Sequence, residues 1–221
     1  VPTPLRGAGV TLHAAHYVNA TKPSGCTGKT GLWPDALVPA VDVYVSETRN
    51  AFPMSVPAGQ NRVAWVDIFV PLSAAAGTTA HTVTVRDSSG TIASLQLSVH
   101  VFDFELPTTP TMSSLFGHGA DWDMVKSIYQ TDDPLKTAKL VKFHIQCGLM
   151  NRVSFADFLG YAPTLWADAG GNGTFAKFVH EWGSFIDGTA KLPFGPSPGK
   201  LSSIQAPHQI CSLGWNKHTQ V

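Results

Sequence analysis

Ala93-Ser94-Leu95-Gln96-Leu97-Ser98-Val99-His100-Val101 alternates apolar and polar residues without a break, and Leu106-Pro107-Thr108-Thr109-Pro110 ends the pattern. A period of two is the mark of a strand with one covered and one wet face, so this run reads as a half-exposed antiparallel strand. Two prolines around two threonines make a short, stiff connector. Before that joint the apolar residues recur every second position; after it they follow a strand, helix, strand rhythm.

Working back toward Val1, Thr79 to Arg86 reads as a strand, and Asp87-Ser88-Ser89-Gly90 reads as a four-residue hairpin loop. Arg62 to Val70 is apolar at nearly every position, as expected of a strand buried on both faces. Val10 to Val18 reads as a strand running into a loop from Thr21 to Pro34. Leu32 to Leu37 reads as an irregular connection, and Val41 to Val45 and Phe52 to Val56 as short strands. Six or so short strands separated by Gly/Pro turns predict an immunoglobulin-like β-sandwich over residues 1–107. His81 and His100 fall at solvated strand positions.

Beyond the joint, Met112 to Gly117 is a candidate strand followed by a polar loop with His118, Asp121 and Asp123. A helix follows, with Asp132 or Asp133 as N-cap and Pro134 at its first position, ending near Gly148. Leu135, Ala138, Val141 and Ile145 give it one buried face. Arg152 to Ala156 completes a βαβ unit. Phe175, Phe178, Val179, Trp182, Phe185 and Ile186 then recur at helical spacing, which predicts a core-facing or interface stripe.

Composition excludes several classes of function. Lys plus Arg equals Asp plus Glu at 15 each, so no global field recruits nucleic acid or an anionic membrane. No run reaches the roughly 20 apolar residues of a membrane span. Charged residues make up 14% of the chain, below the roughly 25% of ordinary soluble proteins, and that profile fits an extracellular or secreted protein. Asn19-Ala20-Thr21 and Asn172-Gly173-Thr174 are glycosylation sequons, with Asn19 and Asn172 the acceptors. Cys26, Cys147 and Cys211 form no CxxC pair and have no zinc-like spacing, so no metal site is expected; two of them could pair, or all three could be inert thiols.

No nucleotide-binding Gly loop or nucleophile elbow occurs, and no cofactor is expected. Glycoside cleavage usually needs two carboxyl groups flanking the bond, and Asp121, Asp123 and Asp157 are the loop carboxylates placed to touch a sugar. Trp166 joins them as a candidate substrate-binding residue. Trp166, Trp182 and Trp215 are candidate stacking platforms of a carbohydrate-binding module.

Trp33-Pro34-Asp35-Ala36-Leu37, Ala51-Phe52-Pro53, Val56-Pro57-Ala58-Gly59-Gln60, Trp65-Val66-Asp67-Ile68-Phe69-Val70-Pro71 and Val101 to Pro107 resemble the N-terminal sandwich of proteins related to glycoside hydrolase family 123. Gly148 to Ser154 and Phe185 to Ala190 resemble segments of the barrel that follows it. The resemblance implies a sandwich over 1–107, a linker at 108–111 and the first βα units of an incomplete (β/α)8 TIM barrel over 112–221. It also implies activity on N-acetylhexosaminides by an adjacent Asp-Glu pair. No Asp-Glu dipeptide occurs in the 221 residues, so no catalytic residue is assigned. The expected function is the N-terminal portion of an extracellular glycosidase-like protein that acts on or binds N-acetylhexosamine-containing glycans and is not catalytic alone. Its expected partners are carbohydrate and the remainder of the barrel or another protein chain. The alternative is a structural or adhesive extracellular glycoprotein that assembles with neighbouring chains through the aromatic stripe.

Overall fold

The computed structural model describes residues 9–114, 116, 122–155 and 175–203, and the chain separates into two compact units, Val1–Leu106 and Pro107–Val221. In the first unit β1 (Val10–Ala20) lies between β2 (Gly31–Pro39) and β5 (Ala64–Ile68) in an antiparallel sheet. Two further antiparallel pairs are β3 (Val41–Asp42) with β4 (Glu47–Thr48), and β6 (Gly77–Asp87) with β7 (Gly90–Val101).

The β6–β7 hairpin shows how directly alternation becomes structure. Val83 faces Leu95 and Val85 faces Ala93 across the pair, with Thr82 opposite Gln96 on the other side. The turn is tighter than the sequence suggests. Asp87 pairs with Gly90, so only Ser88 and Ser89 form the loop; the Asp87 carboxylate accepts from the Ser89 N–H at 2.8 Å, and Gly90 takes φ 124°. That backbone region is open to glycine at no steric cost.

The immunoglobulin-like sandwich is corrected. A sandwich buries two inner faces against each other, whereas Ile92 and Leu95 of β7 stay 60% and 61% exposed. The described buried apolar residues of this unit are Ala14, Ala15 and Ala51. Three small sheets stand where two packed ones were expected. The 62–70 run shortens to β5, an edge strand whose Trp65 is half exposed. Leu32 to Leu37 is strand rather than irregular connection: as an edge, β2 tolerates Pro34 and Pro39, which donate no ladder bond. Phe52 to Val56 forms no strand.

In the second unit α1 (Trp122–Tyr129), α2 (Pro134–Met150) and α3 (Phe175–Asp187) are the described elements. α2 starts as its sequence dictates: Asp133 caps it, accepting from the Leu135 N–H at 2.9 Å, and Pro134 sits in the first turn where no donor is needed. Its buried face is Thr137, Val141, Ile145 and Leu149, while Leu135 is 76% exposed and does not join it. That face packs with Trp122 and Val125 of α1, Trp182 and Phe185 of α3, and Ala190 and Leu201. Each fully buried apolar side chain of this size contributes about 1.5–3 kcal/mol. The core of this unit is therefore helical.

The barrel opening is also corrected. Among the described residues of segments 112–117 and 152–156 no strand is formed; Phe116 and Phe155 make one isolated parallel bridge, and Ala190 and Gly199 one antiparallel bridge. Beside the Phe116 N–H, which donates to the Ser154 carbonyl at 3.1 Å, serine hydroxyls accept three neighbouring backbone donors. The Ser154 N–H donates to Ser114 Oγ at 2.9 Å, the Ser114 N–H to Ser202 Oγ at 3.2 Å, and the Ser202 N–H to Ser154 Oγ at 2.9 Å.

Candidate functional site

The residues singled out from sequence are not gathered into one place. Asp123 is exposed in the first turn of α1, at the rim of an open polar groove of about 430 Å³ shared with Lys126, Gln130 and Asp132. Lys126 and Asp132 pair there at 3.0 Å. Asp121, Asp157, Trp166, Asn172, Cys211 and Trp215 lie outside the described residues. Asn19 is exposed near the end of β1, opposite Leu32. Cys26 and Cys147 are free, exposed thiols. Trp182 is fully buried beneath Lys142, whose Nζ stands 5.2 Å from the ring centroid, so a sugar has no access to it. The stripe from Phe175 to Ile186 turns Trp182 and Phe185 into the core.

The carboxylates with resolved shifts are held ionised. Burial pushes the Asp42 carboxyl up, but the Arg49 hydrogen bond and charge and the Tyr44 N–H outweigh it, and the pKa falls below its ordinary value. The Arg49 Nη2–Asp42 Oδ2 distance is 2.6 Å, and Arg49 Nη1 also reaches Glu47 Oε2 at 2.9 Å. Asp87 is lowered by the hydroxyl and N–H of Ser89, and Asp187 by the same two groups of Thr189. A general acid needs the opposite shift. These three fasten turns. Among the described residues no group of His, Cys, Asp and Glu could hold a metal ion.

The first unit does assemble one cluster with recognition chemistry. In the sheet β2-β1-β5, His13 stands opposite Trp65 and Thr11 opposite Asp67, so alternation puts His13, Trp65 and Asp67 on one face. Where β1 pairs with β5, the other face carries the apolar Val10, Leu12, Ala14, Val66 and Ile68. Trp65 is thus a large aromatic on the mixed face, 51% exposed. Its indole is fixed: Nε1–H donates to Asp67 Oδ1 at 2.6 Å. Asp67 Oδ2 lies 3.8 Å from His13 Nδ1, which is buried and has no hydrogen-bond partner among the described residues.

Further along β1, past the register irregularity between Ala15 and Tyr17, Tyr17 packs under Arg62, whose Cζ is 5.0 Å from the ring centroid. A held indole with an accessible ring, one carboxylate edge beside it and a second aromatic farther on can grip a flat, hydroxyl-rich ligand. The sequence reading passed over Trp65 because its run looked doubly buried. The available signal was the Trp-x-Asp spacing, which puts an indole donor and a carboxylate on one side of a strand.

Set against known proteins, the chain matches no family model and no curated protein. Among the described residues no helix is long and apolar enough to cross a membrane.

Proposed function

We propose that this protein is an extracellular, non-catalytic glycan-binding protein related to the glycoside hydrolases of family 123, and that it takes N-acetylhexosamine-containing chains. The observation that supports it is the half-exposed Trp65, locked by Asp67 on the mixed face of an open sheet. A pyranose ring offers a face of C–H bonds to an indole and a rim of hydroxyls to a carboxylate, the division of labour expected of a tryptophan with a polar neighbour. The resemblance around Trp65 to Pro71 supplies the sugar class.

The test is a titration of the chain with chitotetraose, followed by calorimetry and by reducing-end release. Saturable binding without hydrolysis is expected, and Trp65→Ala should abolish it while far-ultraviolet circular dichroism stays unchanged. Binding that survives Trp65→Ala, or robust turnover, contradicts the reading.

A second reading, a structural or adhesive protein that assembles with other chains, draws support from Phe102 and Phe104. Both lie beyond β7, 63% and 66% exposed and 5.8 Å apart between ring centroids. Sedimentation of the chain and of a Phe102→Ser, Phe104→Ser variant separates the two: self-association lost in the variant favours assembly.

A further inference from the structure

The mixed face of the β2-β1-β5 sheet is electrically lopsided. At one end Asp67 supplies the negative charge beside Trp65 and His13. At the other end Arg62 lies over Tyr17, and the β1–β2 loop adds the exposed Lys22 and Lys29. The sequence contains no Asp or Glu before Asp35, which follows Pro34, the β2 partner of Tyr17, so three cations stand against one carboxylate at this end.

Arg62 spends Nη1 on the Asn61 carbonyl at 2.8 Å and Nη2 on Gln60 Oε1 at 2.8 Å, both neutral acceptors. It takes part in no ion pair among the described residues. A guanidinium carries five N–H donors, so others remain for a ligand anion. Tyr17 lies four residues from His13, about 13 Å along the strand, past a register irregularity between Ala15 and Tyr17. A short oligosaccharide can span both aromatics.

We infer that the Tyr17–Arg62 end of this face is an anion-reading subsite, and that the preferred ligand is an acidic glycan with a carboxylate or sulfate at Arg62 and a neutral sugar on Trp65. The assignment deepens the glycan reading above and rests on it. Planar guanidinium forks match carboxylate and sulfate oxygens better than a point charge does. The Asp67 end repels an anion, so the two ends also set the direction in which the chain lies.

The experiment compares binding of a hyaluronan hexasaccharide, a chondroitin sulfate hexasaccharide and neutral chitotetraose to the full chain. At least one acidic probe should bind about tenfold tighter than chitotetraose, as one charge-assisted contact provides; a margin for hyaluronan indicates the carboxylate, and one for chondroitin sulfate alone the sulfate. Arg62→Gln should remove that margin, whereas Arg62→Lys should keep part of it. Raising salt from about 0.05 M to about 0.5 M should weaken only the acidic probes. Should Arg62→Gln lose its fold by circular dichroism, the exposed double variant Lys22→Gln, Lys29→Gln reads the same margin. Equal affinity for neutral and acidic probes, or a margin untouched by the charge variants, overturns the anionic subsite while the glycan reading stands. Binding of no probe overturns both.

Discussion

Gly148 shows how one missing side chain shapes the second unit. A Cβ at this position would stand 2.8 Å from the Val153 carbonyl oxygen and 3.0 Å from the Phe155 ring, because the chain folds back there and the Val153 N–H bonds the Gly148 carbonyl at 2.8 Å. Gly148→Ala should therefore cost about 1–3 kcal/mol, as overpacking does, and lower the melting temperature by several degrees in a thermal scan. Ser154 is the polar counterpart: fully buried, it accepts the Ser202 N–H and contacts the Ser202 hydroxyl at 3.0 Å. Ser154→Ala leaves that donor without its acceptor and should cost about 1–3 kcal/mol by urea titration. The sequence marks Gly148 as the helix end but reveals neither contact, since what these two residues touch lies far along the chain or across a turn. Trp65 was missed for a related reason: hydropathy records that a residue is apolar, and says nothing of how many strands cover it.

Among the elements, those governed by local chemistry were legible. The start of α2 follows from Asp133 and Pro134, and β7 from strict alternation closed by Gly90. Asp133→Ala should cost about 1 kcal/mol and show as fraying of the first turn in hydrogen exchange. What was illegible depended on partners. Leu32 to Leu37 reads in sequence as an irregular connection but belongs to the edge strand β2; the 112–117 and 152–156 segments read as strands, but their described residues make one isolated bridge, Phe116 to Phe155. The β3–β4 turn carries the clearest pH dependence. The Asp42 pKa is depressed in the fold, so its contribution is present in full above the unfolded value of about 3.9 and fades as pH falls through the lower folded value. Amide exchange at Tyr44, whose N–H donates to Asp42, should stay slow above pH 5 and quicken, after correction for intrinsic rates, below about pH 4. Arg49→Gln should move that onset upward.

For the whole molecule, the two units carry different burdens. The second is organised around a helical core that encloses Trp182, which removes that tryptophan as a sugar platform. The first exposes much of its apolar strand surface and displays the held indole of Trp65 on a mixed face. The change of period near Pro107 is visible in sequence, but the architecture on either side is not. Alternation specifies a strand and leaves open whether its face meets another sheet or solvent; likewise, a strand-helix-strand rhythm leaves open whether the strands pair.

The most direct measurement is an NMR titration of the isotopically labelled chain with chitotetraose, following the indole N–H resonances of the tryptophans. The Trp65 indole signal should shift progressively and saturate, with smaller changes at the Asp67 and His13 amides and none at Trp182. Shifts confined to tryptophans other than Trp65, or no shift at saturating sugar, would contradict the assignment of this face as the glycan site.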